Sequence, residues 1–361
     1  MDIYECGEKL KALRIGDMVA KIPIIQGGMG VGISRSKLAG AVAAEGGIGI
    51  ISTAQIGYDE DGFEEDQAGC NRLAIRRHLA RAKEIAGENG LIGVNIMVAL
   101  KHYKEHVKEA VAAGADVIIS GAGLPMNLPE LVSETCKTKI APIVSSKRAT
   151  QLILKMWDHH YKRTADFIVI EGPKAGGHLG FSDEQLKDVG AIDFDGEVQQ
   201  IIACKRAYEE KFEREIPVIV AGGIYDGTDI RHALELGADG VQVATRFVTT
   251  EECDAPMAYK QAYLDAKEED IVIVKSPVGM PGRAIKNAFL KELEKGRQAV
   301  THCYQCLEHC DPAKIPYCIT QALVNAARGD EDHALIFCGG NAWRAEKIET
   351  VEGVMRALCE G

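Results

Sequence analysis

Eight short apolar runs recur along this chain, at 22–26, 48–52, 91–97, 117–120, 140–144, 167–171, 218–221 and 240–244. They are rich in β-branched residues and nearly continuous rather than alternating, which is how strands buried on both faces of a parallel sheet read. Between them lie stretches of mixed charge at helical spacing, among them 71–86, 103–113 and 197–213. Two of the connections into the next run pass through Gly-Ala-Asp, at 114–116 and 237–239. Glycine there ends a helix and turns the chain back.

Eight strands alternating with helices over about 250 residues match the count and size of a (β/α)8 TIM barrel. The rival is an open doubly wound sheet, which usually carries G-x-G-x-x-G after its first strand. The glycines after the first run are Gly27, Gly28, Gly30 and Gly32, and they do not fit that spacing. After the eighth run the pattern changes to helical and loop-rich sequence with clustered cysteines. The expected organisation is therefore a barrel domain over 1–248, a small mainly helical domain inserted at 249–332, and a C-terminal segment, 333–361, whose helix at 342–359 completes the barrel. The acidic connection at 59–66 is expected to be a solvated loop rather than a metal site.

The formal net charge of −11 repels a polyanion, so a nucleic-acid partner is not expected. No uninterrupted apolar stretch is long enough to cross a bilayer. The first seventeen residues lack a basic start followed by an apolar run, so no signal peptide is expected and the cytoplasm is the expected compartment. In that compartment the eleven cysteines point to buried thiols or metal ligands before disulfides.

The ends of strands seven and eight are the usual phosphate site of a barrel. Here they run into Ala221-Gly222-Gly223-Ile224 and Ala244-Thr245-Arg246-Phe247. Glycines let backbone N–H groups approach phosphate oxygens, and a following helix N-terminus, capped by Asp226 or Thr228, adds a favourable dipole. Strand one runs into Gln26-Gly27-Gly28-Met29-Gly30, a side-chain-poor loop suited to a flat ring. Asn95, at the end of strand three, can donate and accept at once, as the mixed edge of a flavin demands. Strand six ends in Glu171-Gly172-Pro173-Lys174-Ala175-Gly176-Gly177-His178, which sets a histidine on a glycine loop at the catalytic face, a natural acid or base near neutral pH. The plainer readings are turn glycines, an asparagine tying two loops and a structural histidine.

These pieces, in this order, resemble the nitronate monooxygenase family, once called 2-nitropropane dioxygenases, which includes flavin-type enoyl-ACP reductases. The matching stretches are 23–30, 93–96, 171–180, 218–224, 241–247 and 276–284. The resemblance implies non-covalent FMN, with Gly28 and Met29 against the isoalloxazine and Asn95 hydrogen-bonded to it. Lys174, Gly176 and Gly177 then lie near the cofactor, and Gly222, Gly223, Ala244 and Thr245 hold its phosphate. Gln26, Gly27 and Glu171 complete the expected cofactor set. His178 matches the active-site histidine. Lys174 departs from the acidic or small residue that relatives often carry there, and it is expected to stabilise reduced flavin or to bind an acidic group of the substrate.

The second unusual feature is Cys303-x2-Cys306-x3-Cys310-x7-Cys318. Four thiolates at this spacing suit an iron–sulfur cluster or zinc, and buried structural thiols are the blander reading. The first functional expectation is an FMN oxidoreductase that oxidises alkyl nitronates with O2. The second is an NAD(P)H-dependent reductase of enoyl thioesters, for which Arg283 and Lys286 would contribute to a basic docking surface. The third is a non-catalytic flavin-binding protein. A homodimer is among the assemblies considered.

Overall fold

The computed structural model describes residues 10–88 and 90–360. The reading of the N-terminal leader falls largely on residues 1–9, outside the described residues. A short antiparallel hairpin, β1 (Leu13–Ile15) and β2 (Met18–Ala20), precedes a closed barrel of eight parallel strands. These are β3 (Ile24–Gln26), β4 (Ile48–Ser52), β5 (Leu91–Met97), β6 (Val117–Gly121), β7 (Lys139–Val144), β8 (Ile168–Glu171), β10 (Val218–Ala221) and β11 (Gly240–Val243). Pairing of β11 with β3, in register Val241 with Ile24, closes the ring. All eight coincide with the expected runs to within a residue or two at each end, and the (β/α)8 fold is the one observed.

The continuous apolar strands resolve into two cores by their period of two. Ile25, Ile50, Ile119, Val169 and Ile219 fill the barrel interior, and Leu13 and Ile15 of the hairpin join them. Their strand neighbours Ile24, Ile51, Ile118, Ile168 and Val218 face the surrounding helices instead. Those helices include α1 (Ser36–Ala44), α2 (Gln67–Ala86), α3 (Tyr103–Ala112), the short α4 (Leu128–Leu131), α5 (Lys147–Tyr161), α6 (Phe194–Phe212) and α7 (Gly227–Glu235). Helix α1 packs so closely on β4 that a Cβ at Gly49 would sit 1.8 Å from the carbonyl oxygen of Ala39.

Local chemistry sets the helix ends. Asp66, Ser146, Asp193 and Asp226 each accept a first-turn N–H at the starts of α2, α5, α6 and α7. The acidic connection at 59–66 thus supplies a cap, and its Asp59 also pairs with Arg35 at 2.6 Å. The aspartates that introduce strands act as clasps. Asp116, Asp166 and Asp239 each accept a 2.8 Å bond from the N–H of a residue in the adjacent strand: Ile92, Ile140 and Val218.

Residues after β11 fold as α8 (Thr245–Val248), α9 (Met257–Asp265), a ribbon of β12 (Ile271–Lys275) and β13 (Pro281–Ile285), α10 (Ala288–Lys295) and α11 (Ile319–Arg328). The helices were expected, and the ribbon was not. It pairs with β9 (Gly177–His178), a two-residue strand beyond β8, so the added segment is tied to the loop after β8 by backbone hydrogen bonds. Phe289, Leu290, Tyr317, Ile319 and Leu335 give this segment a small core of its own. The last helix, α12 (Val351–Glu360), begins later than sequence spacing suggests and packs on α1 and α7, which closes the helical ring. Among the described residues, no helix is long and apolar enough to cross a membrane. Nine of the described cysteines are free thiols, and Cys359 is disulfide-bonded.

Candidate active site

A cavity of about 400 Å³ opens at the C-terminal ends of the barrel strands. The same period of two that builds the core delivers its side chains. Phe167 and Val169 point into the barrel, so Glu171, next in phase, points into the cavity at its floor. Asn95 follows in the same way on β5, where Ile92, Val94 and Ile96 face the helices. Gln242 follows on β11 between outward-facing Val241 and Val243.

Gly27, Gly28 and Met29 line one wall. A Cβ at Gly28 would lie 2.4 Å from the Cβ of Asn95, so only glycine lets this loop pass the asparagine. At the end of β10, Gly222 and Gly223 have φ of +89° and +96°, in the left-handed region that favours glycine. Substitution at Gly222 would also press on the backbone of Gly172 and Ala175. Ala244 and Thr245 stand beside them, and Thr245 Oγ1 accepts the Gly339 N–H at 3.0 Å. Asp226, with Asp229 in a reciprocal cap, occupies the first-turn amides of α7. The backbone left open on this wall is therefore that of the glycine turn and the Ala244–Thr245 corner. Lys174 is exposed at the mouth, its carbon chain against Gly223.

His178 sits where three strands meet. Its backbone pairs with Gly282 of β13, and the Leu179 N–H donates to Pro281. Its Nε2 is 2.7 Å from Ser276 Oγ, and its ring meets Phe337 edge-on with centroids 5.0 Å apart. Ser276 Oγ also accepts the Val278 N–H at 3.2 Å. Burial lowers the histidine to about 4, and burial raises the Glu171 carboxyl to about 8. Near pH 7 the cavity therefore holds a neutral imidazole and a neutral carboxylic acid.

Thirteen of the fourteen side chains and glycines expected at this site, counting His178, line the one cavity, with Gly176 and Gly177 on the loop leading to the histidine. The exception is Gln26. It is fully buried, its Oε1 accepts the Ile50 N–H at 3.0 Å and its Nε2 donates to the Gly27 carbonyl, so it braces the loop from behind. The docking pair expected from Arg283 and Lys286 does not form. Arg283 is 5% exposed and donates to the Ala175 carbonyl, while Lys286 pairs with Glu294 at 3.0 Å. Sequence reasoning missed Gln242, Ser276, Phe337 and the tyrosines Tyr259 and Tyr263, whose hydroxyls both donate to the Phe337 carbonyl. Phasing β11 by its valines would have found Gln242. Ser276 begins the matching stretch 276–284 without being singled out there, and no local signal marks Phe337, Tyr259 or Tyr263.

The donor set fits a flavin phosphate. The glycine turns leave backbone faces uncovered on one wall, the Gly28 loop leaves room for a flat ring, and Gln242 Oε1 is a buried acceptor without a hydrogen-bond partner among the described residues. A ring N–H would satisfy it.

The family model described as nitronate monooxygenase matches residues 12–361. A probable nitronate monooxygenase of Staphylococcus aureus is 26% identical over 295 residues, covering 76% of this chain and 78% of that protein. The structure of FabK from Thermotoga maritima superposes with a TM-score of 0.68 at 25% identity, covering 93% of this chain and 91% of that one. A nitroalkane oxidase from Streptomyces ansochromogenes superposes with a TM-score of 0.67 at 20% identity, covering 93% and 94%. The last likeness is one of fold.

Proposed function

This chain belongs to the nitronate monooxygenase family and is a flavin-dependent oxidoreductase, and we propose that it binds FMN and oxidises alkyl nitronates with O2. The observation that carries this reading is the neutral imidazole of His178, clasped by Ser276 in the cavity that the Gly222–Gly223 turn also lines.

Bound FMN supplies a two-electron acceptor that O2 can reoxidise. The protein's own contribution is binding, orientation and proton handling. Gly222, Gly223, Ala244 and Thr245 hold the phosphate, with the Lys174 ammonium at the same end of the cavity as a counter-charge. This placement, with the Lys174 carbon chain against Gly223, favours a role toward the cofactor phosphate over the two roles that sequence alone suggested for Lys174. Asn95 and Gln242 offer amides to the polar edge of the ring. His178, uncharged across the physiological range, can accept a carbon-bound proton from a neutral nitroalkane, and a nitronate needs no such step. Glu171, protonated near pH 7, can donate a hydrogen bond to a group held at the cavity floor. Met280, Phe337, Tyr259 and Tyr263 supply the apolar side of the cavity, which suits an alkyl substrate.

The likeness to FabK favours one rival, an NAD(P)H-dependent reductase of enoyl thioesters. Burial of Arg283 removes half of the basic patch that would have received an acidic carrier protein. Anaerobic stopped-flow mixing of the yellow protein with propyl-2-nitronate, NADH and NADPH separates the two. Bleaching of the flavin band by nitronate and not by nucleotide is expected. Rapid bleaching by a nucleotide alone overturns the nitronate reading, and a chain that binds no FMN on reconstitution overturns the cofactor assignment.

A further inference from the structure

Among the described residues no three His, Cys, Asp or Glu side chains gather as a site for an ion, the four cysteines at 303–318 included. What the chain after β11 does bring to the cavity is a wall. Residues 336–338 run antiparallel along β13. Phe337 bridges to Ala284, the Ile285 N–H donates to the Ile336 carbonyl at 2.9 Å, and the Cys338 N–H donates to the Arg283 carbonyl at 3.1 Å. β12 occupies the other edge of β13, so Phe337 and His178 are set along one and the same edge. The Phe337 ring crosses Gly282, the residue paired with His178, where a Cβ would lie 2.8 Å from its Cε1.

Two tyrosines hold this wall from behind. Tyr259 and Tyr263 are one turn apart on α9, buried, and stacked with ring centroids 5.6 Å apart. Their hydroxyls donate to the Phe337 carbonyl at 3.0 and 2.6 Å, which takes up both of its lone pairs. Burial raises both phenols, so they stay protonated donors near pH 7. With its neighbours bonded to β13 and its carbonyl to α9, the backbone at Phe337 has no slack to retreat when a ligand presses on the ring. Methionines line the cavity too. Met29, Met97 and Met280 are unbranched and adapt to what lies against them. A shape is rejected by what does not yield, and Phe337 is held on both sides and stands against His178, with ring centroids 5.0 Å apart. The cavity, at about 400 Å³, is near the lower end of the roughly 300–1,000 Å³ of small-molecule sites, and a flavin claims much of it.

Resting on the flavin and nitronate reading, we propose that Phe337 sets the bulk that a substrate can carry at the carbon presented to His178, and that the substrate class is compact, acyclic alkyl nitro compounds. Phe337 touches the substrate in this assignment. Tyr259 and Tyr263 act through it, as positioning residues.

The FMN-loaded full-length chain is titrated anaerobically with propyl-2-nitronate and with the nitronate of nitrocyclohexane, and the change in the flavin band gives the half-saturating concentration of each. The reacting carbon is disubstituted in both, and the second differs by a carbon bridge that closes the ring. Wild type is expected to favour the compact compound at least about tenfold, the scale on which pockets discriminate by a few methylenes. Phe337→Ala is expected to bring the two within about threefold, and Phe337→Leu to fall between, which keeps the comparison if the alanine variant does not fold. Tyr259→Phe combined with Tyr263→Phe leaves the ring of Phe337 intact and frees its carbonyl, and is expected to cut the preference at least about threefold. A purely structural role for the tyrosines would leave the preference where it was. A wild-type preference below about threefold, or one that Phe337→Leu leaves unchanged, overturns the assignment. An unchanged preference in the tyrosine double variant overturns the clamp. Binding that shifts the flavin band without bleaching it sinks the nitronate reading, and the two half-saturating concentrations still judge Phe337. A chain whose flavin responds to neither compound overturns both.

Discussion

His178 is neutral because its surroundings remove water without offering a negative charge, and burial is the one cause of its fall to about 4. Glu171 is neutral for the same reason with the opposite sign, raised to about 8. His178→Ala is expected to lower turnover of the neutral nitroalkane at least about a hundredfold while the flavin stays bound, as steady-state rates and the visible spectrum would show. Unchanged turnover would favour a binding protein. The pH profile follows from the two shifts. The imidazole stays unprotonated down to about 4, so activity holds through pH 5 and fails as the histidine charges. The carboxyl ionises above about 8, so activity falls there, and Glu171→Gln removes that alkaline limb. A limb that persists in the variant rules Glu171 out as its source.

Among the elements, the ribbon β12–β13 matters most to the site. It adds two strands to the histidine's own, and the turn that joins them supplies Ser276. The hydroxyl positions the ring and touches no other part of the expected chemistry. One such hydrogen bond is worth about 1 kcal/mol, or roughly a fivefold change in rate. Ser276→Ala is expected to lower kcat about fivefold with KM and flavin content unchanged, and Ser276→Thr to restore it. A fall in flavin content instead would show that the ribbon supports the cofactor rather than the histidine. The strand-six motif put a histidine at the barrel mouth in the sequence itself. The clasp was not legible there, because the matching stretch 276–284 does not show that its first residue, Ser276, meets a histidine 98 residues earlier in the chain.

In the molecule as a whole, three histidines are buried uncharged. Burial lowers His78 to about 3 and His106 and His178 to about 4. The unfolded chain takes up these protons near pH 6.5 and the folded chain does not until about 4. Their stabilisation is thus complete above about 6.5 and is lost as pH falls toward 4. Glu171 works in the other direction, since its raised value favours the folded state below about 4.5 and the advantage is lost as pH rises through 8. With three groups against one, the thermal midpoint is expected to fall as pH drops from 6.5 to 4. Calorimetry at several pH values tests this, and a flat midpoint across that window would show that the histidines reach water. The cavity itself is a product of closure. Its walls come from the ends of all eight strands, and the ring exists only once β11 pairs with β3.

The sequence by itself determined the eight strands, the barrel they close into, the glycine turn at the end of β10 and most of the residues that the cavity brings together. Each of these is a local property, such as an apolar run of strand length, a glycine where φ must be positive, or a polar residue at a strand end. Only the tertiary structure decided that Gln26 braces its loop from behind, that Gln242 enters the cavity, that Arg283 is buried and that Ser276 and Phe337 hold the histidine. These outcomes depend on which strand faces pair and on segments about a hundred residues apart meeting in space, and neighbouring residues in the sequence carry no record of such contacts.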